Sequence, residues 1–322
     1  MPDTEITFDS GAVTHYGSLR LPDASGPVPA ALILAGSGPT DRNGDSALLD
    51  GDIGTLRFLA DVLEQHGYAS LRYDKLGSGL TGLGPYDVDD IAELGFTAAF
   101  VEPASDALDL LAARPEVDAT RVLVIGHSDG GLTALDLAVS ERGDRVRGVG
   151  LLEPLAVRLL DLLTNQIDAQ LSAVTAAGQL PTEVADELRV ALAGTVESLR
   201  TDGTIPDGLP EPLQNAGLVA ANAKALAEED ALDPRALAQR LPGGMPVVTS
   251  CSAKDIQVSV ADVAALDDAL AHTALTSIRM QSANHVLKDL GDAASTGSDY
   301  TLALPYSAEF AEPFGAWLDA AR

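Results

Sequence analysis

A single cysteine, Cys251, occurs in the 322 residues, so the chain can form no internal disulfide and no cysteine-based metal site. Aromatic residues make up only 4% of a chain that is 46% hydrophobic, which leaves the core to aliphatic side chains. Positive charge is short as well. Four Lys and sixteen Arg stand against 48 Asp and Glu, for a net charge of −28. That balance excludes binding to nucleic acid or to anionic membrane, both of which need basic surface, and it favours a neutral or cationic substrate over an anionic one. Scarce Lys with abundant Asp suits a salty cytoplasm, where dissolved salt screens self-repulsion; a GC-rich genome gives the same composition. No run approaches the ~18 consecutive apolar residues of a membrane span. The N-terminal MPDTEITFDSG lacks a basic region followed by an apolar one, so no secretory signal is expected and the location expected is cytoplasmic.

What the sequence does contain is organised around RVLVIGHSDGGLTALDLAVS, residues 121–140. Val122 to Ile125 is an apolar, β-branched run of buried-strand type, and Leu132, Leu135, Leu137 and Ala138 recur at helical spacing. A strand turning at once into a helix, with Ser128 at the centre of G-x-S-x-G, is a nucleophile elbow. The flanking glycines let strand and helix approach without Cβ clashes, and the helix N-terminus faces any negative charge that develops at the serine. Ser128 is therefore the candidate nucleophile.

Apolar strands expected at 30–35, 69–73, 146–152, 246–250 and 275–280 alternate with helices expected at 53–66, 91–114, 260–271 and 307–320. With a short hairpin expected from strands at 5–8 and 16–21, this is an α/β pattern with a parallel sheet wrapped on both faces. The stretch from Leu155 to about Glu229 is Ala-, Leu- and Gln-rich, helical in period and without a clear strand. It reads as an inserted helical cap of three or four helices, giving three segments: core 1–154, cap 155–232 and core 233–322.

A serine hydroxyl needs a base, and the base an orienting acid. Of the five histidines, His285 lies in a loop just after the last apolar strand, where the carboxyl edge of the sheet would set it beside Ser128. His15, His66, His127 and His272 suit structural or exposed positions. Asp255 leaves the 246–250 strand one strand before the histidine and is the candidate acid; Glu153, after the preceding strand, is the alternative, with Asp262 and Asp289 behind it. The oxyanion would rest on the N–H groups of Asp129, which follows the nucleophile, and of Ser37 in the Gly36-Ser37-Gly38 loop, with Gly38 next in order. A phosphate-binding loop is excluded there, because no Gly-Lys-Ser/Thr follows.

On GSGPTDRNGD (36–45), RYDKLGSG (72–79), GHSDGG (126–131), KDIQV (254–258) and NHVLK (284–288), the chain resembles the α/β-hydrolase superfamily over nearly its whole length, and within it bacterial serine carboxylesterases of the EstD type. The resemblance implies a mostly parallel eight-stranded sheet, a Ser128–Asp255–His285 triad, no metal or organic cofactor, and hydrolysis of small carboxylic esters of short to medium acyl length under a helical cap. Peptidase, amidase, acyltransferase or thioesterase chemistry on the same triad, and a non-catalytic ligand-binding scaffold, are the competing readings. Ala35, Asp129 and Leu76 depart from that family's pattern, where His, Glu and Arg are usual. Asp41, Arg42, Asp74 and Lys75 are read as tying the 36–45 and 72–79 loops together by charge pairs.

Overall fold

The computed structural model describes residues 2–322. Eight strands form one sheet: β1 (Thr4–Ser10), β2 (Val13–Arg20), β3 (Val28–Leu34), β4 (Ala69–Tyr73), β5 (Val117–His127), β6 (Val146–Leu152), β7 (Pro246–Ser252) and β8 (Ala274–Met280). Their spatial order is β1-β2-β4-β3-β5-β6-β7-β8. β2 pairs antiparallel with β1 and with β4, and every other pairing is parallel. β3, β6 and β7 are buried along nearly their whole length because both of their faces are covered, whereas the edge strand β8 is partly exposed.

Eleven α-helices accompany the sheet among the described residues: α1 (Thr55–Gln65), α2 (Val88–Glu93), α3 (Glu102–Ala112), α4 (Gly130–Val139), α5 (Leu159–Ala176), α6 (Thr182–Asp202), α7 (Glu211–Asn215), α8 (Ala223–Asp230), α9 (Pro234–Ala238), α10 (Val260–Ala269) and α11 (Ala308–Ala320). The apolar stripe of α1, Leu56, Leu59, Ala60 and Leu63, packs with Phe310, Phe314 and Trp317 of α11 onto Ile33, Ile125 and Val248 of the sheet. Each such fully buried aliphatic side chain contributes roughly 1.5–3 kcal/mol.

One expected element is broken. Residues 91–114 form no continuous helix: α2 ends at Glu93, and beyond 94–95 a π-helical turn, Thr97–Val101, runs directly into α3 at Glu102. The interruption falls at Leu94, whose backbone is extended (φ −80°, ψ 128°) and closes α2. Pro103, at the first turn of α3, has no N–H to return to the preceding turn, and the widened π-helical turn lies just before it.

The chain divides into two compact units, one of 1–85, 100–156 and 234–322, the other of 86–99 and 157–233. The first holds the sheet. The second is helical, with Leu160, Leu171, Leu188, Leu192, Leu199 and Leu213 in one aliphatic cluster. Within it Asp230, 1% exposed at its side chain, is paired with Arg158 at 2.5 Å and Arg200 at 2.9 Å, and it accepts the Leu160 N–H at 2.8 Å. Where the chain leaves and rejoins the sheet unit, Arg235 Nε donates to the Ala156 carbonyl at 3.1 Å. No helix among the described residues is long and apolar enough to cross a membrane.

Candidate active site

Register decides what meets at the carboxyl edge of the sheet. His127 pairs with Leu152, Leu152 with Ser250, and Ser250 with Ile278, so the segments after β5, β6, β7 and β8 all emerge at one level. Ser128, Glu153, Asp255 and His285 lie on those four segments.

Ser128 adopts φ 55°, a left-handed conformation that a non-glycine residue holds only when its surroundings enforce it. Three backbone hydrogen bonds do so. Its N–H donates to Leu152 O at 2.8 Å, and its carbonyl accepts from Gly131 at 3.0 Å and Leu155 at 3.2 Å. The tightness of the turn explains two of its glycines. A Cβ on Gly126 would lie 2.0 Å from Gly130 O, and one on Gly130 would lie 2.5 Å from Leu34 O.

His285 and Asp255 are joined at 2.7 Å, Nδ1 to Oδ2, with side chains 9% and 0% exposed. Because the partner is a carboxylate, Nδ1 carries the proton. Burial works to raise the Asp255 carboxyl, but the charge of His285 and the hydrogen bonds it receives outweigh this and hold it below the ordinary carboxylate range. Its other oxygen, Oδ1, accepts the Gln257 and Val258 N–H groups at 2.6 and 3.1 Å, a turn that explains the KDIQV spacing.

The His285 loop is shaped by its motif neighbours. Asn284 Oδ1 accepts the N–H groups of Val286 and Lys288 at 3.1 and 2.9 Å, while its Nδ2 donates to Asp299 at 2.8 Å. Lys288 Nζ donates to the carbonyls of Tyr300 at 2.7 Å and Leu302 at 2.9 Å. His127 has a structural place, its Nε2–H donating to the His285 carbonyl at 2.8 Å. Burial, and then the neighbouring His285, push His127 down to about 4, so it is neutral at pH 7.

Glu153, the alternative acid, is placed beside Asp255 rather than on the imidazole. It is fully buried, with Oε2 accepting the Ser252 N–H at 3.1 Å and Oε1 the Ser250 hydroxyl at 3.3 Å. Burial and then the Asp255 charge raise its carboxyl well above the usual range. Asp262 is engaged by Arg235 at 3.1 Å, and Asp289 accepts the Gly291 N–H at 2.8 Å.

Ser37 is exposed in the loop after β3, and Asp129 follows the nucleophile directly. Gly36 lies against Ser128, since a Cβ there would be 3.0 Å from Ser128 Cβ and 3.6 Å from its Oγ. The two polar loops are tied as expected, though not by charge pairs alone. The Asp74 carboxylate accepts the Arg42 N–H at 2.8 Å, its other oxygen lies 3.8 Å from Arg42 Nε, and Lys75 Nζ donates to the Gly36 carbonyl. Asp41 makes its contacts within its own loop, accepting from Asn43 at 2.8 Å and Asp45 at 3.0 Å. The grip of Lys75 on Gly36 and the pairing of Glu153 with Asp255 were not legible from motif spacing. Among the described residues no cluster of His, Cys, Asp or Glu is arranged to hold a metal ion.

A family model described as alpha/beta hydrolase matches residues 25–307, and the chain belongs to that family. Among curated proteins it is similar to Esterase EstD of Thermotoga maritima, 27% identical over 249 residues. That match covers 76% of this chain and 51% of the relative, so the chain spans about half the length of the protein it resembles. Two solved structures share the fold. One is Est1E from Butyrivibrio proteoclasticus with ferulic acid bound, at TM-score 0.56 and 14% identity over 98% of this chain and 96% of that one. The other is the Pyrococcus furiosus esterase Pf2001, at TM-score 0.56 and 15% identity over 99% and 90%.

Proposed function

We propose that the protein is a serine carboxylesterase acting on small esters of short to medium acyl chain, with Ser128 as nucleophile, His285 as base and Asp255 as the orienting acid. The observation that carries the reading is the 2.7 Å His285–Asp255 pair on the same sheet edge as a serine held at φ 55°. Esterase names among the similar proteins support it.

With Nδ1–H committed to Asp255, Nε2 of His285 is the basic nitrogen. It takes the Ser128 proton as Oγ attacks the ester carbonyl carbon. The tetrahedral oxyanion rests on the N–H groups of Ser37 and Asp129, with the N-terminus of α4 behind it. Collapse expels the alcohol, which receives the proton from His285. Water, deprotonated by the same nitrogen, then attacks the acyl-serine; the acid leaves and Ser128 regains its proton. Asp255 holds the tautomer and stabilises the imidazolium without taking the proton. The helical insert between β6 and β7 is assigned the cap's role of selecting among acyl chains.

Hydrolysis of p-nitrophenyl esters from acetate to dodecanoate, by wild type and Ser128→Ala, tests the proposal. Turnover best at a short or medium chain is expected, with its loss in the alanine variant together with loss of fluorophosphonate labelling. Undiminished turnover by a folded Ser128→Ala protein would overturn the assignment, and a folded wild type inert to both esters and the label would overturn the function.

A further inference from the structure

We infer that Lys75 is a positioning residue of the oxyanion hole: by gripping the Gly36 carbonyl it sets the peptide plane that aims the Ser37 N–H. This deepens the esterase reading and rests on it. Strand register brings the two residues together. β3 and β4 run parallel with Ile33 opposite Arg72, and Gly36 and Lys75 each lie three residues beyond that pair. The Lys75 side chain is buried, its Nζ donating to Gly36 O and standing 5.3 Å from the centre of the Phe100 ring. Its stem starts from fixed backbone. The preceding residue, Asp74, accepts the N–H groups of Arg42 and Leu80, both at 2.8 Å, and its carbonyl accepts the Thr81 hydroxyl at 2.8 Å.

The consequence follows from peptide geometry. No cis peptide bond occurs among the described residues, so the Gly36 C=O and the Ser37 N–H point in opposite directions from one rigid plane. Holding the oxygen from one side therefore fixes the direction of the N–H on the other. The next carbonyl is held too, since the Thr40 hydroxyl donates to Ser37 O at 2.8 Å. Ser37 is clamped through both of its peptide groups while its side chain stays exposed. The plane is also in the right place, because a Cβ built on Gly36 would stand 3.0 Å from Ser128 Cβ. A cavity of about 20 Å³ lined by Ala35, Lys75, Phe100, Asp129 and Thr133, among others, sets Lys75 near the second oxyanion donor as well. Burying an amine is costly unless it is well engaged. Donation from it also polarises the peptide, which strengthens the N–H at the far end as a donor.

The test uses Lys75→Met, which keeps most of the side-chain volume, and Lys75→Arg, which restores a donor. For Lys75→Met, kcat on a p-nitrophenyl ester is expected to fall about tenfold to a hundredfold, less than the 10²–10³ of deleting an oxyanion donor outright. KM should stay within about threefold. Inhibition by a trifluoromethyl ketone, whose adduct is a tetrahedral oxyanion, should weaken in step with kcat, while binding of the product carboxylic acid holds. Lys75→Arg should recover most of the loss. An unchanged kcat, or losses shared equally by ketone and product, would overturn the inference. If Lys75→Met shows no cooperative melt, Lys75→Gln carries the same readouts. Wild type active and labelled beside an equally active Lys75→Met protein defeats this inference alone; wild type inert to esters and label defeats the esterase reading and this inference with it.

Discussion

The carboxyl edge of the sheet and the helical unit are each stabilised from within, by opposite means. At the edge, buried polar groups dominate: Glu153, Ser252, Asn284, His285 and Lys288 are all almost fully enclosed, each with named partners. In the helical unit the adhesive is a set of leucines, with one buried ionic knot at Asp230. Hydrogen bonds are directional and costly to leave unmade, so the edge has one good arrangement. Aliphatic contacts are non-directional, so the helical unit has room to exchange one side chain for another of similar volume. Position is secured where chemistry is proposed, and tolerance is kept elsewhere.

Four substitutions would break or sharpen that contrast, the largest effect first. Asp255→Asn removes the acceptor that fixes the His285 tautomer, and kcat should fall about 10⁴-fold at pH 7 with little change in melting temperature. Steady-state kinetics beside a thermal melt check both halves. Asp230→Ala leaves Arg158 and Arg200 without their shared carboxylate and the Leu160 N–H without its acceptor. It should cost about 3 kcal/mol of stability by denaturant titration, while protein that remains folded keeps its turnover.

Glu153→Gln separates two neighbouring carboxyls. Ester turnover should stay within about tenfold of wild type, in contrast to Asp255→Asn. Its clearer signature is in pH. The folded-state pKa of Glu153 lies above its unfolded value of about 4.5. Its stabilising share is therefore complete below that value and is lost as pH rises through the folded one. Urea midpoints at pH 5 and pH 9 should show wild type losing stability toward alkali and the glutamine variant losing less; equal losses would argue against a protonated Glu153. Smallest of all, Leu188→Met in the aliphatic cluster should cost about 1 kcal/mol and leave kcat alone.

The same contrast explains what could be read from the sequence. The strand–elbow–helix run, KDIQV and NHVLK are each written in consecutive residues, because Asp255 turns its own next two N–H groups and Asn284 folds its own loop. Local chemistry leaves local patterns, and those pointed to Ser128, Asp255 and His285. The alternation of apolar runs likewise carried the parallel sheet wrapped on both faces, while the resemblance carried its eight strands. Lys75 and Glu153 were harder, since their partners lie across the sheet and depend on register. The expected 91–114 helix failed because apolar periodicity continues across Leu94, where the backbone turns extended, and says nothing of the π-helical turn that follows. In the helical unit, Ala and Leu announce helices without saying which face meets which.

The hydrogen bond from Arg235 to Ala156 has an evolutionary consequence. It fastens together the two points at which the 157–233 segment leaves and rejoins the sheet unit, so the ends of that segment are already brought together. Once a loop is closed in this way, its length matters little, each doubling adding only about 0.6 kcal/mol of closure entropy. A lineage could therefore lengthen, shorten or trade this cassette while the strand order beneath it stays as it is. The 86–99 strip belongs to the same unit but comes from another part of the chain, so such an exchange would also have to match it.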